Sequence, residues 1–200
     1  MPTSDARTLL AAALARSGRD TSDHDLNPGF ILPAGRTLRP AAVLVGFQDS
    51  DEGPALLLTK RASHLKHHPG QIAFPGGKLD DGDADATAAA LREAEEEIGL
   101  LPGQVEVLGI LSPHETVTNF AVTPVVAVVD PAFRPVRQEE EVEEVFRVPF
   151  AHVADPGRFR VESRLWRGAR RRYFVVPYGP YYIWGATARI LKALADRMAE

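Results

Sequence analysis

The stretch from Gly76 to Leu100, GGKLDDGDADATAAALREAEEEIGL, constrains the fold more than any other part of the chain. It predicts a loop with two adjacent glycines, followed by a short helix. The helix is expected to end at Gly99, because glycine commonly adopts the left-handed conformation just past a helix. Within five positions, this helix carries four acidic residues: Glu93, Glu95, Glu96 and Glu97.

On a helix with about 3.6 residues per turn, Glu93, Glu96 and Glu97 share one side, whereas Glu95 points elsewhere. The core-facing stripe is predicted on an adjacent and distinct side, at Leu91, Ala94 and Ile98. Like charges at this spacing repel, and anions near a helix C-terminus oppose its dipole. A bound magnesium ion would offset that charge, because carboxylates, waters and phosphates are its usual ligands. A solvated acidic surface is the alternative.

Composition narrows the class of protein. The chain has 200 residues, of which 44% are hydrophobic and 25% charged, as expected for a soluble globular protein of one domain. A net charge of −4 argues against a general nucleic-acid binder. The absence of cysteine excludes disulfides and thiolate chemistry. Without a signal-peptide pattern or an apolar run of membrane-spanning length, we expect a cytoplasmic protein that does not bind membranes.

Short apolar runs alternate with polar turns, which predicts one mixed α/β domain over residues 1–200. An N-terminal helix at 4–17 and a connecting arm as far as 39 should precede a hairpin with strands at 41–47 and 55–59. We predict these further elements: strands at 71–74, 105–111, 122–129 and 145–148, an arginine-rich hairpin over 157–177, and a closing helix over 182–198.

The acidic helix resembles the second half of the Nudix box, G-x5-E-x7-R-E-U-x-E-E-x-G-U, in which U is aliphatic. The segment 92–100 fits it position by position, with Ala94 as a small residue at the first U. The first half departs from the pattern. Fifteen positions rather than fourteen separate Gly77 from Arg92, and Asp83 stands where the early glutamate is expected. The loop can absorb one extra residue, but the sequence assigns no role to Asp83.

A second motif lies immediately upstream. Residues 56–77, LLLTKRASHLKHHPGQIAFPGG, are similar to the signature of the coenzyme A pyrophosphatase branch of the Nudix family, L-L-T-x-R-S-x-x-x-R-x-x-x-G-x-V-x-F-P-G-G. The departures are Ala62, Lys66 and Ile72, which keep size or charge approximately. The segment YYIWGATARIL near the C-terminus also resembles the closing helix of that branch. The motifs at 56–100 cover under a quarter of the chain.

The resemblance implies an α/β/α sandwich with a mixed sheet and a loop–helix–loop catalytic motif. It also implies hydrolysis of coenzyme A to 3′,5′-ADP and 4′-phosphopantetheine, with Mg²⁺ or Mn²⁺. Two alternatives stay open. One is a Nudix hydrolase for another nucleoside diphosphate, such as NADH, ADP-ribose or an oxidised nucleotide. The other is a non-catalytic ligand sensor, which the intact acidic run disfavours. The oligomeric state is also open, with a homodimer among the alternatives.

The resemblance further implies the roles of individual residues. Glu93 and Glu97 are the expected metal ligands, and Glu96 is a third ligand or binds through water. Arg92 would orient Glu96 or another carboxylate of the box. Gly76 and Gly77 would let the backbone approach metal and phosphate closely, where a Cβ could clash. The general base is left open among four residues: Glu96, Glu139, Glu140 and Glu141.

A basic stretch precedes the glycines. The basic residues of positions 60–68 include Lys60, Arg61, Lys66, His67 and His68. They are candidates for substrate binding, and Arg61 is the first candidate to bind the 3′-phosphate of coenzyme A.

Four other residues receive weaker interpretations. His114 and Glu115 follow a strand and could contact substrate, although a lone loop histidine is expected to be exposed. We interpret Tyr181 and Trp184 as core or interface residues rather than as a platform for adenine.

Overall fold

The computed structural model describes residues 3–30, 35–166 and 168–200. In these ranges the α-helices are α1 (Thr3–Ala15), α2 (Ala86–Ile98), α3 (Phe150–Val153) and α4 (Gly185–Ala199). The strands are β1 (Thr21–Ser22), β2 (Arg39–Gln48), β3 (Ala55–Arg61), β4 (Ile72–Ala73), β5 (Gly76–Lys78), β6 (Val105–Ile110), β7 (His114–Glu115), β8 (Phe120–Val129), β9 (Val142–Pro149), β10 (Arg160–Trp166) and β11 (Ala169–Val175).

Nine of these strands form one mixed sheet. Its main path has the order β1-β7-β8-β2-β3-β4, and β5, β6 and β9 pair with β2, β8 and β3 respectively. The centre of the sheet is the parallel pair of β2 and β8. The predicted hairpin of β2 and β3 forms, but these strands pair only at Phe47↔Leu56 and Gln48↔Ala55. By contrast, β3 pairs with β9 along its whole length, from Ala55 to Arg61.

Alternating side chains on the central strands build a core on each face of the sheet, because successive strand residues point to opposite faces. Leu57 packs in the core that contains Ala90, Ala94 and Ile98 of α2. Its neighbours Leu56 and Leu58 pack in the opposite core, to which α1 and α4 contribute. The sheet therefore lies between two helical layers, which confirms the predicted sandwich.

The arginine-rich hairpin forms a separate two-stranded sheet of β10 and β11. The closing helix starts at Gly185, three residues later than predicted. The segment before it is extended instead. Trp184 forms an isolated bridge with Val175, and Val176 N donates a hydrogen bond to Ile183 O. In the described ranges, no helix has both the length and the apolar character needed to cross a bilayer.

Candidate functional site

Two capping groups set the limits of the acidic helix α2. At its start, the Asp85 side chain accepts a hydrogen bond from Ala88 N at 2.8 Å. At its end, Gly99 has a left-handed backbone with φ of 70°, and its N–H donates to the carbonyls of the last turn. The prediction that Gly99 ends the helix is confirmed. The glutamates consequently occupy its final two turns, beside β5.

Glu97 is buried, with only 4% of its surface exposed. The prediction that all three acids lie on a side distinct from the buried one is therefore wrong for Glu97. The reason is that β5 packs beside α2 and covers this position. One carboxylate oxygen of Glu97 accepts a hydrogen bond from Gly76 N at 3.3 Å. Glu93 is partly buried, and Glu96 is 59% exposed.

The buried position makes the Glu97 charge unfavourable in the absence of a cation. Burial, followed by the nearby charge of Glu93, raises the pKa of Glu97 to about 8, although the Gly76 N–H and Arg61 oppose the shift. Burial also raises the pKa of Glu93, against the opposing charge of Arg92. A cation between the two carboxylates would stabilise their charged forms.

Gly76 and Gly77 both lie where a side chain has no room. A Cβ atom on Gly77 would lie 2.3 Å from a carboxylate oxygen of Glu93. Gly76 has φ of 153°, and a Cβ there would lie 2.4 Å from Ala42 O of the neighbouring strand. Side chains at these positions would displace either the carboxylate or the backbone beside it.

Arg92 donates hydrogen bonds to several groups around the acidic residues of α2. Its Nη1 donates to Glu96 at 3.0 Å, as predicted, and to Glu93 at 3.1 Å. Its Nη2 also donates to Lys78 O at 3.1 Å. Arg92 thereby holds the loop and two carboxylates in one arrangement.

Asp83 holds Arg92 from the other side. Arg92 Nε and Nη2 each donate to one Asp83 carboxylate oxygen at 3.0 Å, a bidentate pair. The hydrogen bond from Arg92 lowers the pKa of Asp83. Sequence reasoning gave Asp83 no role. Its position six residues after Gly77, where the box has its early acid, is the signal that could have identified it.

Among the loop candidates for general base, Glu141 is the one whose charge acts on the buried carboxylates. Its charge contributes to the raised pKa of both Glu93 and Glu97. The loop that carries it is attached to the end of α2, because Gln138 N donates to Glu97 O at 2.9 Å. Ala62 N also donates to Glu141 O at 2.8 Å. Glu139 instead pairs with Arg137.

The basic stretch divides between two cavities. Arg61 and Gly76 line a smaller cavity of about 290 Å³. Lys60 lines a larger cavity of about 560 Å³, where it also pairs with Glu143 at 2.6 Å. His68 lines both. Lys66 and His67 are exposed and line neither, so the structure does not bring them to the site.

His114 is fully buried, so the expectation that it is exposed is wrong. The physical reason is that β1, which was not predicted, pairs with β7 and covers it. The His114 ring nitrogens lie 2.9 Å from Thr21 Oγ1 and 3.3 Å from an Asp23 carboxylate oxygen. Glu115 is also engaged within the fold, in an ion pair with Arg36 at 2.7 Å.

Asp23 extends this buried network. Its second oxygen accepts a hydrogen bond from Val117 N at 3.0 Å. Burial by itself would raise the pKa of Asp23, but the hydrogen bond and charge of His114, with the Val117 N–H, lower it. Asp23 also lines the smaller cavity, and sequence analysis missed it.

Tyr181 and Trp184 both line the larger cavity. The interpretation as core residues is correct only in part. The Tyr181 ring stacks on Phe146, while its hydroxyl donates to Glu144 at 2.5 Å. Trp184 lines the smaller cavity as well.

The oxygen ligands of Glu93 and Glu97 suit Mg²⁺ or Mn²⁺. In the part of the chain that the structure describes, no three acidic or histidine side chains are already gathered closely enough to hold an ion. Glu96 is held by Arg92 instead. An ion bound at Glu93 and Glu97 would accordingly take further ligands from water and substrate phosphates, as magnesium commonly does.

Comparison with known proteins identifies the family of the chain. The family model described as NUDIX domain matches residues 37–166. A protein of Escherichia coli K12, described as the uncharacterized Nudix hydrolase NudL, is 46% identical over 157 residues, which cover 78% of this chain and 81% of the relative. A relative from Enterobacter sp. strain 638 with the same description is 45% identical, with the same coverage of each chain.

Solved structures with the same fold include the MutT protein from Methanosarcina mazei Go1. It has a TM-score of 0.51 and 18% identity, and the match covers 84% of this chain and 99% of that one. A Nudix hydrolase from M. smegmatis, RenU, has a TM-score of 0.50 and 24% identity, with coverage of 61% and 83%. At these identities the similarity establishes the fold alone.

Proposed function

This chain belongs to the Nudix family, and we propose that it hydrolyses the pyrophosphate of coenzyme A to 3′,5′-ADP and 4′-phosphopantetheine. The observation that carries the proposal is the buried Glu97, whose carboxylate accepts a hydrogen bond from Gly76, a residue that lines a cavity together with Arg61 and His68. Carboxylates that approach a pyrophosphate need a cation between them, and the basic side chains compensate the remaining phosphate charge.

Glu93 and Glu97 are the proposed metal ligands, with Mg²⁺ or Mn²⁺ as the ion. When bound, such an ion polarises a phosphoryl oxygen and offsets the charge that develops during hydrolysis. Glu96 would act through water, since its carboxylate is held by Arg92 and is 59% exposed. Arg92 and Asp83 are positioning residues, because they hold Glu93 and Glu96 rather than facing the cavities.

We assign Glu141 as the general base that removes a proton from the attacking water. Three observations support it over the alternatives. It lies close enough to Glu93 and Glu97 to raise both of their pKa values, whereas Glu139 pairs with Arg137. Its loop is held both to α2 and to the strand that carries Arg61. Glu96, the candidate within the box, has its carboxylate engaged by Arg92.

The test is product identification from coenzyme A with Mg²⁺ and, separately, with Mn²⁺. We expect mass spectrometry to find 3′,5′-ADP and 4′-phosphopantetheine, and Glu97→Gln to abolish their formation. NADH, ADP-ribose and an oxidised nucleotide are assayed in parallel. Faster turnover of one of these would contradict the assignment of substrate. Turnover of none, in the presence of either metal, would instead support a ligand sensor.

A further inference from the structure

The two cavities adjoin, and together they are termed the groove. Four residues line both of them: His68, Gln71, Arg164 and Trp184. The smaller cavity reaches Gly76, whose N–H contacts Glu97, and the larger one does not. A substrate with its pyrophosphate beside Gly76 can therefore extend past these shared residues into the larger cavity.

Arg164 of the β10–β11 hairpin stands at the junction of the cavities. Its guanidinium lies over the Trp184 ring, 4.2 Å from the ring centroid, and 5.9 Å from that of Tyr173. In the described ranges, no carboxylate lies within ion-pair distance of Arg164, although Arg158, Arg189 and other arginines of the protein have such partners. Stacking on an aromatic face fixes the guanidinium and leaves its N–H groups at the plane edge.

Arg164 also lies directly opposite another cation. In the register of the hairpin its strand partner is Arg171, which lines the smaller cavity. Like charges directly opposite each other across two strands are destabilising. Burial, together with the charge of Arg164, lowers the pKa of Arg171, against the opposing charge of Asp23. An anion bound at the junction would relieve this repulsion.

The far end of the groove suits an aromatic base. Tyr181, Tyr182 and Trp184 form part of the wall of the larger cavity, with Lys60 and His68 beside them. Glu144 also lines this cavity, but its carboxylate accepts a hydrogen bond from the Tyr181 hydroxyl. Aromatic walls with cations nearby match a phosphorylated nucleoside better than the flexible, uncharged arm of a pantetheine.

Building on the proposed function, we propose that the larger cavity receives the nucleoside end of the substrate and that Arg164 binds its additional phosphomonoester, with His68 as a second hydrogen-bond donor. A planar guanidinium can donate two parallel hydrogen bonds to one phosphate. Arg61 acts elsewhere. It lines the smaller cavity together with Gly76 and is absent from the larger one, so we place it at the pyrophosphate rather than at the 3′-phosphate that the sequence suggested for it.

A binding measurement tests the site without turnover. Calorimetry compares adenosine 3′,5′-bisphosphate with AMP. We expect the wild-type protein to bind the bisphosphate about 10-fold more tightly, the order expected for a charge-assisted hydrogen-bonded contact. Arg164→Ala should lose this preference, and Arg164→Lys should keep part of it. Arg170→Ala is the matched control, because Arg170 lies on the same hairpin, donates to Ser163 and lines neither cavity. An unchanged preference in Arg164→Ala would overturn the proposal.

Kinetics with coenzyme A and its 3′-dephospho form separate this inference from the proposed function. Arg164→Ala should raise KM about 10-fold for coenzyme A alone, with kcat unchanged, whereas Arg61→Ala should impair both substrates equally. If the wild-type enzyme hydrolyses coenzyme A but Arg164→Ala impairs both substrates equally, the site is overturned and the proposed function stands. If the wild-type protein hydrolyses neither substrate but shows the Arg164-dependent binding preference, the proposed function is overturned and the Arg164 site stands.

Discussion

The two ends of the groove are built in different ways. The acidic end takes Gly76, Glu93 and Glu97 from one continuous stretch of the chain. The cationic and aromatic end combines His68 from a loop, Arg164 from β10 and Trp184 from the segment before α4. Consecutive residues on a loop and helix have spacings that the sequence determines, whereas residues from three separate segments meet only after folding.

The two ends of the groove also differ in how deeply their charged side chains are buried. Glu97 is 4% exposed and carries an unfavourable charge that a metal would offset, whereas Arg164 is exposed and stacks on a ring. A buried charge in a polar site contributes more to chemistry than an exposed one, because solvent screens it less. Substitutions at the acidic end should therefore change the rate of reaction, and those at the other end should change the choice of substrate.

The largest effect is expected for Glu97→Gln. Loss of a metal ligand should lower kcat about 10³-fold, comparable with removal of a group that stabilises transition-state charge. Glu95→Gln on the exposed side of the same helix is the control and should retain wild-type kcat. Full activity in Glu97→Gln would contradict the assignment of Glu97 as a metal ligand. It would also contradict the expected difference between an end that sets the rate and an end that selects the substrate.

The same variant should be as stable as the wild-type protein, or more so, without metal. The folded pKa of Glu97, about 8, lies above its ordinary value of 4.5. For an acid shifted in this direction, ionisation is easier in the unfolded state, so the metal-free wild-type protein loses stability as the pH rises from 4.5 through 8. Glu97→Gln lacks this loss. Urea unfolding in EDTA at pH 5 and pH 8.5 measures the free energy of unfolding of both proteins. A stability advantage of Glu97→Gln that becomes smaller at the higher pH would contradict the raised pKa of Glu97.

A smaller effect is expected for Glu141→Gln, about 10² in kcat, because a general base contributes rate through one proton transfer. The pH–rate profile should lose its acidic limb. Glu140→Gln, on the same exposed loop, is the control. Equal losses from both variants would indicate a general effect of the loop rather than loss of a general base. The catalytic carboxylates of the acidic end would then be those of α2 alone.

Asp83→Ala should lower activity about 10-fold, since partners that orient a metal ligand typically matter at this level. Arg92→Ala should cause a similar loss, and the double variant should be no worse than either, because both act through one bidentate pair. Asp81→Ala, an exposed acid on the same loop, serves as control. Additive losses in the double variant would show that Asp83 acts independently of Arg92.

The smallest effect on kcat is expected for Asp23→Asn, in the buried network beside the smaller cavity. Loss of the charged hydrogen bonds to His114 and Val117 should cost about 1–3 kcal/mol of unfolding free energy at pH 7. The folded pKa of Asp23 is depressed, so its contribution is present above 3.8 and is lost as the pH falls through the folded pKa. Asp20→Asn is the exposed control. A pH-independent cost in urea unfolding would contradict an ionic origin.

Several elements could be predicted because their signals are local. The helix with its end at Gly99 and the Arg92–Glu96 pair depend on residues near one another in sequence. The buried histidine could not be predicted. His114 is covered by Thr21 and Asp23, more than 90 residues earlier in the chain, through a two-residue strand too short to leave a pattern.

By itself, then, the sequence determined the Nudix helix, its acids and the loop before it, since helical periodicity and glycine conformations act over a few residues. Only the tertiary structure decided that Glu97 is buried, that Asp83 holds Arg92 and that the loop of Glu141 is hydrogen-bonded to the end of α2. It also brought His68, Arg164 and Trp184 together. These arrangements depend on how strands and loops pack against α2 and α4, and no local pattern in the chain records that packing.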